Sequence, residues 1–333
     1  MEHIIHGSLT RIADLNKVAV QPLPRADWEW ADYVLGEVID PPASSRYIEL
    51  FNGRKALVDV GDRVLGAFAT RFATLEATGS WENIGDDGAM SAMTGAGLFG
   101  AITSRSPLLD ELIKMRYVGH VTRDGVKLNM RDFASPHATR KLEIPVLLIV
   151  GSSMSAGKTN SARIIIRRLK KMGLTVVAAK LTGAGRYRDV LSMGDAGADY
   201  IFDFVDAGLP STVCPEGLYR EAITNLLARI AELSADVLVV EAGASPLEPY
   251  NGQVATSMLE GNLRMMVLCA SDPYSVVGMI QAFGRRPDVV AGIACNTEAG
   301  MSLIDRLTGL PVLRLIDRDS HAELDQMLKQ QLT

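Results

Sequence analysis

The sequence predicts an α/β protein in two parts: a C-terminal parallel sheet with helices on both faces, and a smaller β-rich N-terminal domain. Three observations predict this fold. From about residue 144 onward, apolar runs alternate with helical stretches, and such runs belong in a parallel sheet covered on both sides. A loop rich in glycine and serine joins the first apolar run to an amphipathic stretch. Before residue 140, short β-rich runs are separated by close turns, which is typical of a small barrel or sandwich.

The C-terminal domain is predicted to cover residues 144–333. Its predicted strands are the apolar runs Val146–Val150, Thr175–Ala179, Asp236–Glu241, Met265–Ala270, Val289–Asn296 and Val312–Ile316. Helices are predicted between most of them, for instance over Tyr219–Leu233, Tyr274–Phe283 and Met301–Leu307.

The N-terminal domain is predicted to cover residues 1–140 and to be barrel- or sandwich-like. Its β-rich runs are Tyr33–Ile39, Tyr47–Leu50, Lys55–Val60, Arg63–Leu75, Tyr117–Val121 and Val126–Asn129. The dipeptide Asp124-Gly125 between two of these runs predicts a hairpin. The stretch Arg131–Leu142, which contains Ser135-Pro136, is predicted to be the linker.

The loop in VLLIVGSSMSAGKTNSARIIIRRLKK, which begins at Val146, predicts a phosphate-binding loop and hence a P-loop-type sheet. Backbone N–H groups of such a loop point at the phosphates, and the following helix adds its positive N-terminal end. Lys158 is placed to reach the outer phosphates, and the Thr159 hydroxyl to ligate magnesium. The spacing is unusual, because Ser152 stands where the first glycine is expected and Gly151 lies one place early. The predicted cofactor-binding residues are Gly151, Ser152, Ser153, Met154, Ser155, Ala156, Gly157, Lys158, Thr159 and Asn160.

Polar residues follow the predicted strands at their carboxyl ends, where ligands bind in parallel sheets. Lys180 is predicted to pair with a phosphate or a substrate carboxylate, the alternative being an ordinary surface lysine. Glu241 ends a buried strand and is predicted to hold magnesium together with Thr159, the alternative being a hydrogen-bonded core glutamate. The remaining candidates are Thr182, Gly183, Tyr250 and Asn251 for substrate, Glu248 for catalysis, and Asn296 for a nucleotide base.

The segment Met90–Pro107, MSAMTGAGLFGAITSRSP, is rich in small residues and allows two interpretations. It is either a flexible substrate-binding loop, with Ser104 and Arg105 as contacts, or a tightly packed segment where small residues let backbones approach. We favour the packed segment, and keep Arg105 as a candidate for binding a substrate carboxylate.

Composition bounds the function classes. The chain has 47% hydrophobic residues, enough for sizeable cores. Its net charge is −5, so it has no general attraction to nucleic acid or to anionic membranes. No run of about 18 uncharged apolar residues is present, and the N-terminus lacks a signal-peptide core, so we expect a cytoplasmic protein with no membrane partner. Cys269 and Cys295 lie in apolar runs and are expected to be buried thiols.

Two resemblances follow from these motifs. Gly151-SSMSA-Gly157-Lys158-Thr159 resembles the loop of dethiobiotin synthetase, whose first glycine is similarly displaced. DVLVVEAGAS resembles that enzyme's strand ending in a magnesium-binding glutamate, and Lys180 falls where its strand-two lysine lies. KLTGAG, DYIFDFVDAG, VVEAGASPLEPYNG and VLCASDP resemble a family of unknown function with a phosphate-loop fold, which includes D-glutamate N-acetyltransferases. The resemblance covers roughly residues 144–316.

The two resemblances imply different chemistry. The first implies a ligase- or kinase-type enzyme that uses ATP and Mg²⁺ to activate a small carboxylate- or amine-containing metabolite. In it, Lys158, Thr159 and Glu241 serve phosphoryl transfer and Lys180 stabilises developing charge. The second implies an N-acyltransferase whose loop holds the diphosphate of acetyl-CoA, with Glu248 as base. A nucleotide-dependent switch or accessory protein ranks third. For every alternative we expect a homo-oligomer, such as a homodimer, in which the β-rich domain of the same or a neighbouring subunit covers the site.

Overall fold

A computed structural model describes residues 4–134 and 139–332. The chain folds into two compact units. The first unit consists of Met1–Pro136, Ala184–Arg188 and Phe204–Leu218, and the second of His137–Gly183, Asp189–Asp203 and Tyr219–Thr333. Two short segments of the C-terminal half therefore belong to the first unit. Residues 135–138 of the predicted linker lie outside the described residues.

The described part of the first unit is built on twelve strands. They are β1 (Ile4–His6), β2 (Ala19–Gln21), β3 (Tyr33–Asp40), β4 (Tyr47–Glu49), β5 (Lys55–Leu57), β6 (Arg63–Phe68), β7 (Thr70–Phe72), β8 (Ala77–Ser80), β9 (Ala89–Thr94), β10 (Leu98–Arg105), β11 (Lys114–Arg123) and β12 (Val126–Lys127). The order β6-β3-β11-β9-β10 closes on itself because β10 also pairs with β6. The closed ring surrounds a core that includes Val34, Val64, Phe68, Phe99 and Met115.

Small residues make this closure possible, as favoured for the segment Met90–Pro107. At Gly66, a Cβ atom would lie 2.1 Å from the carbonyl oxygen of Gly97, so only glycine lets these backbones cross. The predicted hairpin is also confirmed. Asp124 and Gly125 have φ values of 52° and 80°, which a two-residue type I′ turn between β11 and β12 requires.

The second unit contains a six-stranded parallel sheet in the order β15-β14-β16-β13-β17-β18. Its strands are β13 (Val146–Gly151), β14 (Val176–Thr182), β15 (Tyr200–Asp203), β16 (Val237–Ala242), β17 (Leu263–Cys269) and β18 (Val289–Ala291). Every residue of β13, β14 and β16 is buried, as expected for strands covered by helices on both faces. The predicted α/β fold class is therefore confirmed.

Within residues 139–332, seven α-helices accompany the sheet: α1 (Lys158–Lys171), α2 (Tyr187–Asp195), α3 (Glu216–Ala231), α4 (Gly252–Leu259), α5 (Pro273–Phe283), α6 (Glu298–Thr308) and α7 (His321–Leu332). Helix α5 shows why the boundaries lie where they do. Asp272 caps its first turn through the N–H groups of Tyr274 and Ser275, and Gly284 ends it with a φ of 68°. No described helix is long and apolar enough to cross a membrane.

At one edge of the sheet, one predicted strand was too long and another was wrong. The strand predicted over Val289–Asn296 ends at Ala291, because Gly292 has a φ of 87° and opens the 3₁₀ helix Ile293–Cys295. The run Val312–Ile316 contributes one isolated bridge, from Val312 to Val290, and forms no strand. The edge strand β15 was not predicted, because it has only four residues and only one of them is buried. Cys269 and Cys295 are buried as predicted.

Candidate functional site

The loop between β13 and α1 is shaped around one buried lysine. The Lys158 side chain crosses Gly151 so closely that a Cβ atom at position 151 would lie 2.8–2.9 Å from its Cδ, Cγ and Nζ atoms. Its ammonium group donates a hydrogen bond of 2.5 Å to the carbonyl oxygen of Ser153. The unusual position of the first glycine therefore has a steric reason: residue 151 is the one that the lysine passes over.

The ends of two neighbouring strands hold the loop from behind. Ser152 donates its backbone N–H to the carbonyl oxygen of Cys269, at 3.0 Å. At Gly292, a Cβ atom would lie 2.4 Å from the carbonyl oxygen of Ala156. Gly292 was not identified from the sequence. Its signal is a glycine directly after a buried strand of a parallel sheet.

The start of α1 carries no side-chain cap. Gly157 stands at the N-cap with a left-handed φ of 99° and has no side chain that could accept from the first N–H groups of the helix. Those groups and the helix dipole form a partial positive charge at the end of the loop. Together with Lys158, this arrangement is suited to an anion with several oxygen atoms.

Glu241 connects the loop to the centre of the sheet. In β16 it pairs with Ile149 of β13 on one side and with Lys180 of β14 on the other. The Thr159 hydroxyl donates a 2.9 Å hydrogen bond to its carboxylate. Burial raises the pKa of Glu241 above its usual value, although Lys180 and Lys158 act against that rise. The structure thus brings together four predicted residues, Lys158, Thr159, Lys180 and Glu241, from three separate motifs.

Lys180 passes through a narrow passage made of glycines. A Cβ atom at Gly243 would lie 2.5 Å from its Cε atom, and one at Gly183 would lie 3.2 Å from the same atom. Its ammonium group forms an ion pair with the carboxylate of Asp189 in α2. Asp189 and Gly243 were not identified from the sequence, because nothing local shows that they contact this lysine.

The positive charge of the Lys158 ammonium group is only partly balanced by the acidic groups around it. Burial lowers the pKa of Lys158, while Glu241 and other acidic groups partly oppose this effect. A buried cation whose hydrogen-bond acceptor is a neutral carbonyl gains most from an incoming anion.

The other predicted residues lie in varied surroundings. Thr182 is fully buried, and its hydroxyl has no hydrogen-bond partner among the described residues. Glu248 accepts a 2.8 Å bond from the backbone N–H of Ser245, in the turn after β16. Tyr250 is buried, Asn251 starts α4 with a φ of 59°, and Asn296 is exposed beyond the 3₁₀ helix. Asn296 therefore does not end a strand, contrary to the prediction.

Four further predicted residues are exposed or half-buried. Asn160 is exposed on the first turn of α1, where its side-chain oxygen accepts a 3.4 Å bond from Arg163. Met154 is half-buried and Ser155 is exposed in the loop itself. Arg105 is exposed at the end of β10 in the first unit, and donates to the carbonyl oxygen of Leu109.

The donor set at Thr159 and Glu241 fits a hard divalent cation. A hydroxyl and a carboxylate are ligands that Mg²⁺ takes, and this ion commonly completes its shell with substrate phosphates and water. Among residues 4–134 and 139–332, no group of three or more His, Cys, Asp or Glu is arranged to hold a metal.

Comparisons with known proteins yield distant structural neighbours only. No protein-family profile and no curated protein match this chain. Hydrogenase maturation factor HypB from Archaeoglobus fulgidus is 13% identical, with 57% of this chain and 91% of that chain covered and a TM-score of 0.40. A DUF1611 family protein from Anabaena variabilis is 18% identical, over 59% of this chain and 60% of that one, with a TM-score of 0.37. The signal recognition particle receptor FtsY from Elizabethkingia anophelis is 14% identical, over 62% and 75%, with a TM-score of 0.36.

Proposed function

We propose that the second unit binds ATP with Mg²⁺ and transfers the γ-phosphoryl group to a small carboxylate- or amine-containing metabolite. The observation that carries this proposal is the 2.9 Å hydrogen bond between Thr159 and Glu241 beside the buried Lys158. A hydroxyl at the start of the helix and a carboxylate from the neighbouring strand of the sheet, here β16, are the two protein ligands that a nucleotide-bound magnesium ion needs.

Each residue of the site has a role in this proposal. The loop amides and Lys158 bind the outer phosphates, so that the triphosphate replaces the Ser153 carbonyl as the acceptor of the lysine. Thr159 and Glu241 hold Mg²⁺, which neutralises phosphate charge when bound. Lys180, fixed by Asp189, stabilises negative charge that develops on the transferred group. Glu248 and Asn251 remain candidates for contacting the acceptor.

Each of the two other functions lacks one requirement of phosphoryl transfer. An N-acyltransferase with coenzyme A in the same loop needs no hydroxyl–carboxylate pair, and a nucleotide-dependent switch needs no acceptor substrate. The position of Thr159 against Glu241 therefore favours phosphoryl transfer over acyl transfer.

Thermal unfolding under four ligand conditions tests the proposal. We expect ATP with Mg²⁺ to raise the melting temperature, because a ligand present at 100 times its Kd stabilises the native state by about 2.7 kcal/mol. EDTA should remove most of that increase, and GTP with Mg²⁺ measures the selectivity for the base. Stabilisation by acetyl-CoA in EDTA, with none by ATP, would establish the acyltransferase instead.

Variants at the metal pair sharpen the test. In Glu241→Gln, Mg²⁺ should no longer add to the increase in melting temperature that ATP causes, while metal-free ATP should still cause a smaller increase. Glu232→Gln is the matched control, because Glu232 is exposed in the same unit and has no ion pair among the described residues. Phosphoryl transfer itself is followed as ADP release that depends on an added small carboxylate or amine; ADP release with no acceptor would indicate the switch.

A further inference from the structure

The first unit contains a cavity that the phosphate loop does not use. Its volume is about 380 Å³, within the range of about 300–1,000 Å³ for pockets that bind small molecules. All residues that line it belong to the first unit, and they include Arg186 and Arg188 from the segment Ala184–Arg188.

One cation of the cavity is fixed and balanced. Arg71 is buried and donates a 2.6 Å hydrogen bond to the carbonyl oxygen of Met93. Its guanidinium also forms an ion pair with the carboxylate of Glu76, which lines the cavity too. This pair contributes rigidity but little net charge.

A buried glutamate places the other arginines at the cavity wall. The Glu49 carboxylate accepts hydrogen bonds from the Ser8 hydroxyl at 2.5 Å, the Tyr187 N–H at 2.6 Å and the Arg188 N–H at 3.1 Å. It therefore caps the start of α2, and its charge is offset by the positive end of that helix. The backbone that carries Arg186 and Arg188 is held while their side chains stay exposed.

Among the remaining charged residues of the cavity wall, positive charges outnumber negative ones. In the described part of the chain, the side chains of Lys55, Arg186 and Arg188 have no carboxylate within ion-pair distance, and all three are exposed. The one other acidic residue at the wall is Asp110. Arginine side chains bind carboxylate and phosphate groups with two parallel hydrogen bonds, so unpaired arginines at a cavity favour such ligands.

Apolar residues complete the wall. Met93 and Ile113 are buried, and Leu112 is half-buried, so the cavity also has surface for a hydrocarbon portion. We propose that this cavity binds a small organic anion, a metabolite with a carboxylate or phosphate group, and that Arg186 and Arg188 contact that group. The proposal does not rest on nucleotide binding by the second unit.

Isothermal titration calorimetry of the full chain with succinate, inorganic phosphate and uncharged succinamide tests this site. We expect saturable binding of succinate or phosphate but not of succinamide. Replacing both arginines, Arg186→Gln with Arg188→Gln, should weaken binding at least tenfold. Arg116→Gln should change it less than twofold, because Arg116 is an exposed arginine of the same unit that does not line the cavity.

A further variant distinguishes anion binding at the cavity from anion binding at the phosphate loop. Lys158→Ala should leave succinate or phosphate binding at the cavity intact. The proposal is overturned if neither anion binds saturably, if the double variant binds as tightly as the wild type, or if Lys158→Ala alone removes the binding. Circular dichroism checks that the double variant is folded, and the two single arginine variants decide the outcome if it is not.

Discussion

At the scale of single residues, the site concentrates charge where water cannot reach. Lys158, Lys180 and Glu241 are each at most 5% exposed. Buried charges reduce stability unless they are paired, so proteins keep them mainly where a ligand or a reaction needs them. For Lys158, whose hydrogen-bond acceptor is the neutral Ser153 carbonyl, the free energy of unfolding and ligand affinity should therefore respond in opposite directions when the residue is changed.

Lys158→Ala should lower ATP affinity by about 10- to 100-fold, because hydrogen bonds to charged groups contribute about 1.5–3 kcal/mol. The fold should remain intact. Calorimetric titration with Mg²⁺ and ATP measures the loss, and Lys171→Ala, an exposed lysine in the same helix, is the control. Wild-type affinity in the Lys158 variant would contradict the loop's role.

The same variant should change how stability depends on pH. Burial lowers the pKa of Lys158 from its ordinary 10.5, so between the two values the unfolded chain binds more protons. Stability of the wild type should therefore rise with pH through that window. Urea unfolding at several alkaline pH values should show a weaker rise in Lys158→Ala.

Glu241→Gln should change how the free energy of unfolding depends on pH on the acidic side. Burial raises the pKa of Glu241 above 4.5, so the folded chain binds more protons between 4.5 and the raised value. Wild-type stability without ligand should fall as the pH rises through that window. Urea unfolding from pH 4 to pH 8 should show a smaller fall in the variant, and identical curves would mean that Glu241 is ionised without a metal.

At the scale of elements, the phosphate loop depends on the strand ends that support it. Gly292→Ala should reduce stability by about 1–3 kcal/mol from backbone strain at its φ of 87°, and further through contact with the Ala156 carbonyl 2.4 Å away. Gly284→Ala is the matched control, because its φ is 68° but no atom lies within 4 Å of an added Cβ. ATP affinity should fall in the first variant only; equal effects would mean that this support is unimportant.

The predictability of the elements followed the apolar content of each strand. The wholly buried β13 and β16 were predicted to within one residue at each end, because strands covered on both faces contain almost no polar residues. The run Val312–Ile316 is apolar except for Arg314, but it lies beside the edge strand β18 and forms a single bridge. Local composition cannot distinguish an added edge strand from an extended segment beside the sheet.

At the scale of the whole molecule, the two units are not two consecutive stretches of chain. The segments Ala184–Arg188 and Phe204–Leu218 belong to the first unit. Within that unit, Glu49 accepts from the backbone at Tyr187, and Arg11 forms a 2.9 Å ion pair with Asp206. These contacts connect residues that are 138 and 195 positions apart in the sequence.

A fragment of residues 144–333 should therefore not fold as well as the intact chain, because both segments lose their partners. We expect a melting temperature at least about 5 °C lower, or no cooperative transition, since losing about 1 kcal/mol shifts a domain by several degrees. Circular dichroism on heating measures this, with the full chain as reference. A fragment that melts cooperatively at the full-chain temperature and turns over substrate would show that the first unit is dispensable.

Local patterns in the sequence were sufficient for the α/β class, the glycine-rich loop and the strand residues Lys180 and Glu241, though not for Asn296, because buried strands, turns and loops impose local rules on composition. Which distant groups meet was visible only once the chain was folded. The fold set Thr159 against Glu241, paired Lys180 with Asp189, and placed Arg186 and Arg188 at a cavity of the first unit. These contacts depend on sheet order, register and long-range chain crossings, which no local pattern encodes.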